Sequence, residues 1–570
     1  MSATPQAVLT GRLRAAMSAC GLPAERGDVV PAADTRFGDY QSNAAMVLAK
    51  EQKCNPRELA GRIAAAFDGG EVCGEPTIAG PGFLNFKLHP AWVAARVREL
   101  ASDPRCGVAA ATTPRRVIID FSSPNIAKPM HVGHIRSTIL GDALARIARF
   151  LGHDVVTDNH LGDWGTQFGK VLYGWKHLLD RDALERAPVA EMTRLYREVN
   201  ALEQSDPAVH RAAREELVKL QQGDPENRAI WQQLVDLSWA EFQDIYDRLG
   251  VTFDERLGES FYDPTLGPLV DRLLAEGIAV ISEGAACIFF PDIPALADKP
   301  CLIRKGDGGF LYATTDLATI EYRAARWSPD AIWYVTGAPQ QLHFQQVFAA
   351  ARRMGVGTEM AHIAFGSILG EDHKLMKTRS GDNVPLRDLL DEAVVRARAL
   401  IDEKNADMPA EEKERTARIV GLGAVKYAEL SQHRMTDYVF SWSKMLALQG
   451  NTAPYLQNAY VRIRSIFRKL GADAGGGHDV ILAHPAEAAL GLKLLQFAEA
   501  VPVVLHEFRP NLLANHLYET ANAFHAFYEA CPVIKADESE RHSRLVLCEA
   551  TARVLQTGLY LLGVEVPERM

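Results

Sequence analysis

The chain has 570 residues, 47% of them hydrophobic and 24% charged, enough for about three or four domains with cores of their own and too mixed for disorder. Its 62 basic and 72 acidic residues leave a net charge of -10, which excludes a histone-like DNA binder but not an enzyme with a local basic groove. No run of about 18 apolar residues occurs, so no membrane partner is expected, and eight scattered cysteines without a C-x-x-C pair fit a reducing, cytoplasmic setting.

Residues 1–110 read as one α+β unit. The first 24 residues hold Arg12 and Arg14 but no acid, which faintly resembles an import signal; Leu9, Leu13, Met17 and Cys20 at helical spacing make the first helix of a domain the better reading. Short apolar runs around a Gly-Pro-Gly turn in "EVCGEPTIAGPGFLNFKL" predict strands, and "SDPRCGVAAATTPRR" reads as a linker.

A different rhythm occupies residues 111–410. "RVIIDF" predicts a buried strand, "SSPNIAKPMHVGH" a loop, "IRSTILGDALARIARFLG" a helix with Gly152 as its cap, and "HDVVTDNH" a second strand. This is a βαβ unit, so an α/β fold with a Rossmann-like parallel sheet is expected, interrupted by a largely helical insertion at about 180–300. "DAIWYVTG" and "AHIAFGSILG" predict two more strands around a helix at 340–354.

His131, Gly133 and His134 sit where the first strand hands over to a helix N-terminus, the natural anion site of such a sheet. Zinc would need a third ligand, and none stands nearby in sequence, so no metal site is expected. For an isolated pair, a capping or surface role is the common outcome; here the setting favours imidazole N–H donors placed to stabilise charge on a phosphate. A mobile cationic partner is expected in "EDHKLMKTRSGDN", where Lys374 and Lys377 are flanked by Thr378, Arg379, Ser380 and Gly381. Either signal alone is weak; together they are specific.

From residue 411 to the end the pattern predicts helices almost throughout. In "PYLQNAYVRIRSIFRKL", Tyr455 and Arg462 lie two turns apart on one face, with Arg464, Arg468 and Lys469 as a basic flank.

These motifs resemble the class I aminoacyl-tRNA synthetases: "HVGH" is similar to their HIGH signature and "KLMKT" to KMSKS. "FSSPNIAKPMHVGHIRSTILGD", "NHLGDWGTQFGK", "FGDYQSN", "AGPGFLNF", "GNTAPYLQNAYVRIRSI" and "LLGVEVPERM" narrow the resemblance to the arginyl branch. The resemblance implies attack of the arginine carboxylate on the α-phosphate of ATP, with Mg2+, followed by transfer of the arginyl group to tRNA(Arg), and a first step that generally needs the tRNA. It implies that His131, Gly133 and His134 hold ATP, that Lys374 and Lys377 neutralise the pyrophosphate, and that Lys128 can share that work. It implies that Ser123, Pro124, Asn125, His134 and Gln340 take the amino and carboxylate end of arginine. Tyr312, Asp316 and Glu259 would take the guanidinium, whose planar fork suits paired carboxylates. Residues 1–110 would meet the tRNA elbow through Phe83 and Asn85. Residues 411–570 would read the anticodon loop with Tyr455, Arg462, Tyr528 and Met570. A monomer that binds no DNA is the expectation. Two other readings, a shorter HxGH nucleotidyltransferase and a non-catalytic tRNA-binding relative, explain less: the first needs no helical C-terminal domain, and the second would not need its histidines and lysines.

Overall fold

The segment from residue 116 builds the parallel sheet that its apolar runs predict. In this computed structural model, which describes residues 3–34, 36–377, 383–471 and 478–570, strands Glu359–His362, Ala331–Val335, Arg116–Phe121 and Asp154–Asp158 lie side by side in that order. Every neighbouring pair is parallel. Ile118 joins a core with Leu317, Ile320 and Val347, while the ring of Phe121 lies against Gly141 of helix Val132–Phe150, where an added Cβ would come within 2.2 Å of it. Helices thus cover both faces, and the strand reads as a continuous apolar run.

From Arg116–Phe121 the chain winds to Asp154–Asp158 on one side, and from Ala331–Val335 outward on the other. The carboxyl ends of Arg116–Phe121 and Ala331–Val335 therefore flank the crevice where such sheets take ligands. Loops 122–131 and 336–340, both rich in predicted site residues, leave from those two ends.

One predicted strand divides. Glu359–His362 belongs to the parallel sheet, but "IAFGSIL" bends away, and Ile368–Leu369 pairs instead with Tyr438–Val439. The bend centres on Gly366, where a Cβ would meet Asp437 Oδ1 at 2.6 Å and the Met435 carbonyl at 2.9 Å. The insertion holds five helices, from Gln167–His177 to Pro225–Leu249; helix Glu259–Ala275 and a three-stranded antiparallel sheet follow.

Two compact units emerge: Ala111–Lys404 with Gly421–Met445, and Met1–Ala110 with Asn405–Val420 and Leu446–Met570. Among the described residues, the second unit contains the predicted hairpin, Thr77–Ala79 against Phe83–Phe86, within a four-stranded antiparallel sheet, and five helices between Ala453 and Leu561. Inside it, Tyr40 donates to the Glu499 carboxylate at 2.9 Å, and burial pushes Glu499 up to about 7. Its stretch Pro485–Glu507, whose most apolar 18-residue window has a mean hydropathy of 1.6 and is half buried, consists of two 11-residue helices that meet at Gln496.

Candidate functional site

His131 is the N-cap of helix Val132–Phe150, and the two predicted histidines close a reciprocal capping box. The Gly133 N–H donates to His131 Nδ1 at 3.1 Å, and the His131 N–H donates to His134 Nδ1 at 3.0 Å. A ring nitrogen that accepts from a backbone N–H carries no proton, so in both neutral rings the proton sits on Nε2. Burial lowers the pKa of His131, and burial together with His131 pushes His134 down to about 3. The pair is therefore two neutral N–H donors at a helix N-terminus, its ring centroids 4.1 Å apart. Gly133 is needed for a reason nearer than a bound base: a Cβ there would lie 2.9 Å from His131 Cε1.

The loop before the histidines is over-determined. Ser122, Ser123 and Ala127 all have left-handed backbones, with φ of 73°, 49° and 61°, a cost that persists only when neighbours enforce it. Ser122 N–H donates to Ser137 Oγ at 2.8 Å, and Ser122 Oγ lies 2.8 Å from both Thr138 Oγ1 and Tyr246 OH. Ser123 N–H donates to Asn159 Oδ1 at 3.1 Å and Ser123 Oγ to Asp120 Oδ1 at 3.1 Å. Pro124 is buried and its carbonyl accepts from Gly162 N–H at 3.1 Å, while Asn125 is exposed. Lys128 is exposed too, its Nζ 5.8 Å from the ring of Tyr196 in the insertion.

Lys374 and Lys377 lie exposed on the segment that follows strand Ile368–Leu369. Leu369 pairs with Leu375 and Lys377 with Asn383. Two residues on, Pro385 pairs with His131, Val132 N–H donates to the Val384 carbonyl at 2.9 Å, and Leu386 N–H donates to the Met130 carbonyl at 2.9 Å. Backbone bonds thus tether the lysine segment to the histidine loop. The predicted flanking residues Thr378, Arg379, Ser380 and Gly381 lie outside the described residues.

Tyr312 and Asp316 fall on one helix, Tyr312–Trp327, as their spacing requires. Asp316 Oδ2 lies 2.5 Å from Nε2 of His343, in helix Gln341–Arg353. Burial pulls His343 down, but the hydrogen bond to Asp316 and its charge outweigh this and leave the imidazole above its ordinary value. Glu259 starts helix Glu259–Ala275; burial first, then the charges of Asp163 and Asp316, push it up to about 8. Asp163 holds that helix start, accepting from Ser260 N–H at 2.8 Å and Ser260 Oγ at 2.6 Å. A carboxyl group pushed up by burial and by neighbouring acids, as Glu259 is, calls for a cation. Tyr312 is 73% exposed at the edge of this group. Gln340 is exposed in the turn Ala338–Gln340 that leads into the His343 helix.

In the other unit, Tyr455 and Arg462 on helix Ala453–Leu470 meet helix Asn511–Ala530. Tyr455 OH donates to Asn522 Oδ1 at 2.6 Å, its ring lies 5.1 Å from His525, and Arg462 stands 5.5 Å over the ring of Tyr528. Arg464 leaves the predicted basic flank: it turns inward and pairs with Glu549 at 2.7 Å. The C-terminal tail runs along the same helix, with Arg468 donating to the Glu568 carbonyl at 3.1 Å and Gln457 to that of Glu565 at 2.8 Å, which brings Met570 to this side.

Residues 97–442 match the tRNA synthetases class I (R) catalytic domain, residues 7–88 the arginyl tRNA synthetase N terminal domain, and residues 456–570 the DALR anticodon binding domain. The arginine–tRNA ligase of Synechococcus elongatus is 45% identical over 588 residues, spanning all of both chains. That of Escherichia coli K12 is 44% identical over 578 residues, 99% of this chain and all of the other. The structure of Thermus thermophilus arginyl-tRNA synthetase superposes with a TM-score of 0.84 at 27% identity, covering 99% of this chain and 100% of that one.

The chain belongs to the arginyl-tRNA synthetase family.

In this synthetase the structure brings together Asp316, Glu259 and the Gln340 turn, and separately the histidine and lysine segments. Asn85 is different: it is 3% exposed and its amide donates to the Thr77 and Phe83 carbonyls, so Phe83, half-buried on the same strand, is the more accessible of the two. Sequence reasoning missed His343, three residues beyond Gln340, and His525 and Asn522, three and six residues before Tyr528. The signal for His343 was its position one turn into the helix that Gln340 precedes.

Proposed function

We propose that this synthetase attaches L-arginine to tRNA(Arg) through an arginyl-adenylate. The observation that carries the reading is the pairing of two neutral Nε2–H donors at a helix N-terminus with a separate group of carboxylates, Asp316 and Glu259, on the same parallel-sheet unit. An arginine carboxylate oxygen attacks the α-phosphorus of ATP and pyrophosphate leaves; a ribose hydroxyl of the tRNA 3' end then attacks the arginyl carbonyl and AMP leaves.

Little covalent help is needed, so the residues act by position and charge. His131 and His134 would donate to phosphate oxygens, with Gly133 keeping the His131 ring in place. Lys374, Lys377 and Lys128 would neutralise the departing pyrophosphate. Ser123, Pro124, Asn125 and Gln340 would hold the α-amino and carboxylate end, and Asp316, Glu259 and Tyr312 the guanidinium. Mg2+ would arrive on the triphosphate as part of the substrate, since phosphate oxygens are its usual ligands. Among the described residues no three His, Cys, Asp or Glu side chains form a metal-holding group. Tyr455, Arg462, Tyr528 and Met570 would meet the anticodon loop, and Phe83 with Asn85 the elbow. A cytoplasmic monomer that meets neither DNA nor membrane completes the reading.

Pyrophosphate exchange with each of the twenty amino acids, with and without tRNA, tests it. Exchange is expected with arginine alone and in the presence of tRNA(Arg). Exchange with another amino acid, or none with arginine and any tRNA, overturns the reading.

A further inference from the structure

Arg323 is fully buried on helix Tyr312–Trp327, seven residues and two turns beyond Asp316 on the same face. Its Nη2 donates to Asp120 Oδ2 at 2.6 Å and to Asp158 Oδ2 at 2.8 Å. Those acids pair in register near the carboxyl ends of two adjacent strands of the parallel sheet, Arg116–Phe121 and Asp154–Asp158. Each leads to Ser123. Asp120 accepts from Ser123 Oγ through its other oxygen, and Asn159, the residue after Asp158, accepts from Ser123 N–H. Ser123 is held at a φ of 49°, which its own chemistry disfavours.

Stability alone does not account for this triad. A buried cation between two buried acids is no better than a well-packed apolar trio, and Arg323 Nε and Asp158 Oδ1 have no hydrogen-bond partner among the described residues. What the triad does achieve is a fixed distance. One helix carries the acid assigned to the guanidinium, and Arg323 bolts that helix to the loop assigned to the amino and carboxylate end.

We infer that Arg323 is a positioning residue for amino-acid specificity: through Asp120 and Asp158 it sets the span between Asp316 and Ser123, and so the length of the cationic amino acid accepted. This rests on the proposed arginine site. A rigid span rewards one side-chain length, whereas a loosened one accepts a longer neighbour with less discrimination.

The test compares arginine with homoarginine, one methylene longer, in aminoacylation by the full chain. Arg323→Lys keeps the charge, but its shorter stem draws the ammonium back from the place where Arg323 Nη2 bridges both carboxylates. It is expected to raise the arginine KM about tenfold, to change the ATP KM less than about twofold, and to lower the arginine-to-homoarginine ratio of kcat/KM at least about fivefold. Equal changes in both KM values, or an unchanged ratio, overturn the inference. If Arg323→Lys does not fold, Asp120→Asn is read by the same split, with the same two outcomes. Inactivity of the unsubstituted chain with arginine would instead sink the proposed function, whereas an active wild type with an insensitive variant sinks only the role of Arg323.

Discussion

His343 Nε2 stands 2.5 Å from Asp316 Oδ2, so the acid assigned to the substrate guanidinium already has a cation-forming partner of its own. The two cations compete. The hydrogen bond to Asp316 and its charge raise the His343 pKa above its ordinary value, which favours the protonated imidazole, and Glu259, pushed up to about 8, is largely neutral at pH 7.

A guanidinium entering this pocket favours ionised Glu259 and neutral His343, so binding releases protons. Release on binding means that affinity improves as pH rises through those pKa values. The arginine KM should therefore fall between about pH 6.5 and 8.5, by up to about tenfold per proton released and per pH unit. Steady-state kinetics across that range check this. Glu259→Gln should flatten the upper part of the profile and His343→Gln the lower; a profile that both variants leave unchanged would assign the protons elsewhere.

The adenylation histidines should behave in the opposite way, as groups that do not titrate. With Nδ1 occupied, burial lowering His131 and His134 pushed down to about 3, both rings are neutral at pH 7. His134→Ala should lower kcat for exchange by roughly 10²-fold, the usual cost of losing a transition-state donor. It should also cost about 1 kcal/mol of stability through the lost cap. Nitrogen NMR should find both rings as the Nε2–H tautomer at pH 7; an Nδ1–H signal would contradict the capping geometry.

Local patterns were legible in the sequence because a few neighbouring residues cause them. The helix from Val132, its Gly152 cap at φ 87° and the stacking of Tyr312 with Asp316 on one helix all follow from spacing. The partners were not legible, because the tertiary fold supplies them. Nothing near Arg323 announces Asp120, over 200 residues away, and nothing near Arg464 announces Glu549. Asn85 shows the converse: its motif stood out, but its inward orientation depends on pairing with Thr77–Ala79.

Gly162 offers a sharp test of the amino-acid loop. A Cβ there would lie 2.2 Å from Asn125 Oδ1, so Gly162→Ala must displace the Asn125 side chain. The arginine KM should rise between about 10- and 100-fold, because misplacement of a positioning group by an ångström has effects of that order. The ATP KM should change far less. Parallel losses in both would mean that the whole loop had shifted.

On the helical face, Arg462 and Tyr455 should divide the work of RNA binding. Arg462→Ala removes a charge and uncovers Tyr528, and should reduce the salt dependence of tRNA binding by about one counterion. Tyr455→Ala should weaken binding by about 1–3 kcal/mol with the salt slope intact, as expected for a lost stacking platform. Filter binding over a range of salt distinguishes the two; a charge-like response from Tyr455→Ala would reverse the assignment.

The buried pair Arg136–Glu429 joins the histidine helix to the base of the lysine segment. Arg136 Nε donates to Glu429 at 2.5 Å, its Nη1 reaches the Ser367 and Thr436 carbonyls at 3.4 and 3.2 Å, and both side chains are at most 5% exposed. Removing one partner of such a pair leaves the other charge uncompensated, so Glu429→Ala should cost about 3–5 kcal/mol in urea unfolding. Replacing both by apolar residues of similar size, Arg136→Met with Glu429→Leu, should recover most of that loss, since the pair is worth little beyond its own desolvation. The double variant nevertheless loses the bonds from Arg136 to Ser367 and Thr436, next to strand Ile368–Leu369 from which the lysine segment departs. It should therefore be stable yet slow in adenylation, with kcat down about tenfold or more and the arginine KM little changed. A double variant that is both stable and fully active would show that Arg136 serves the fold alone.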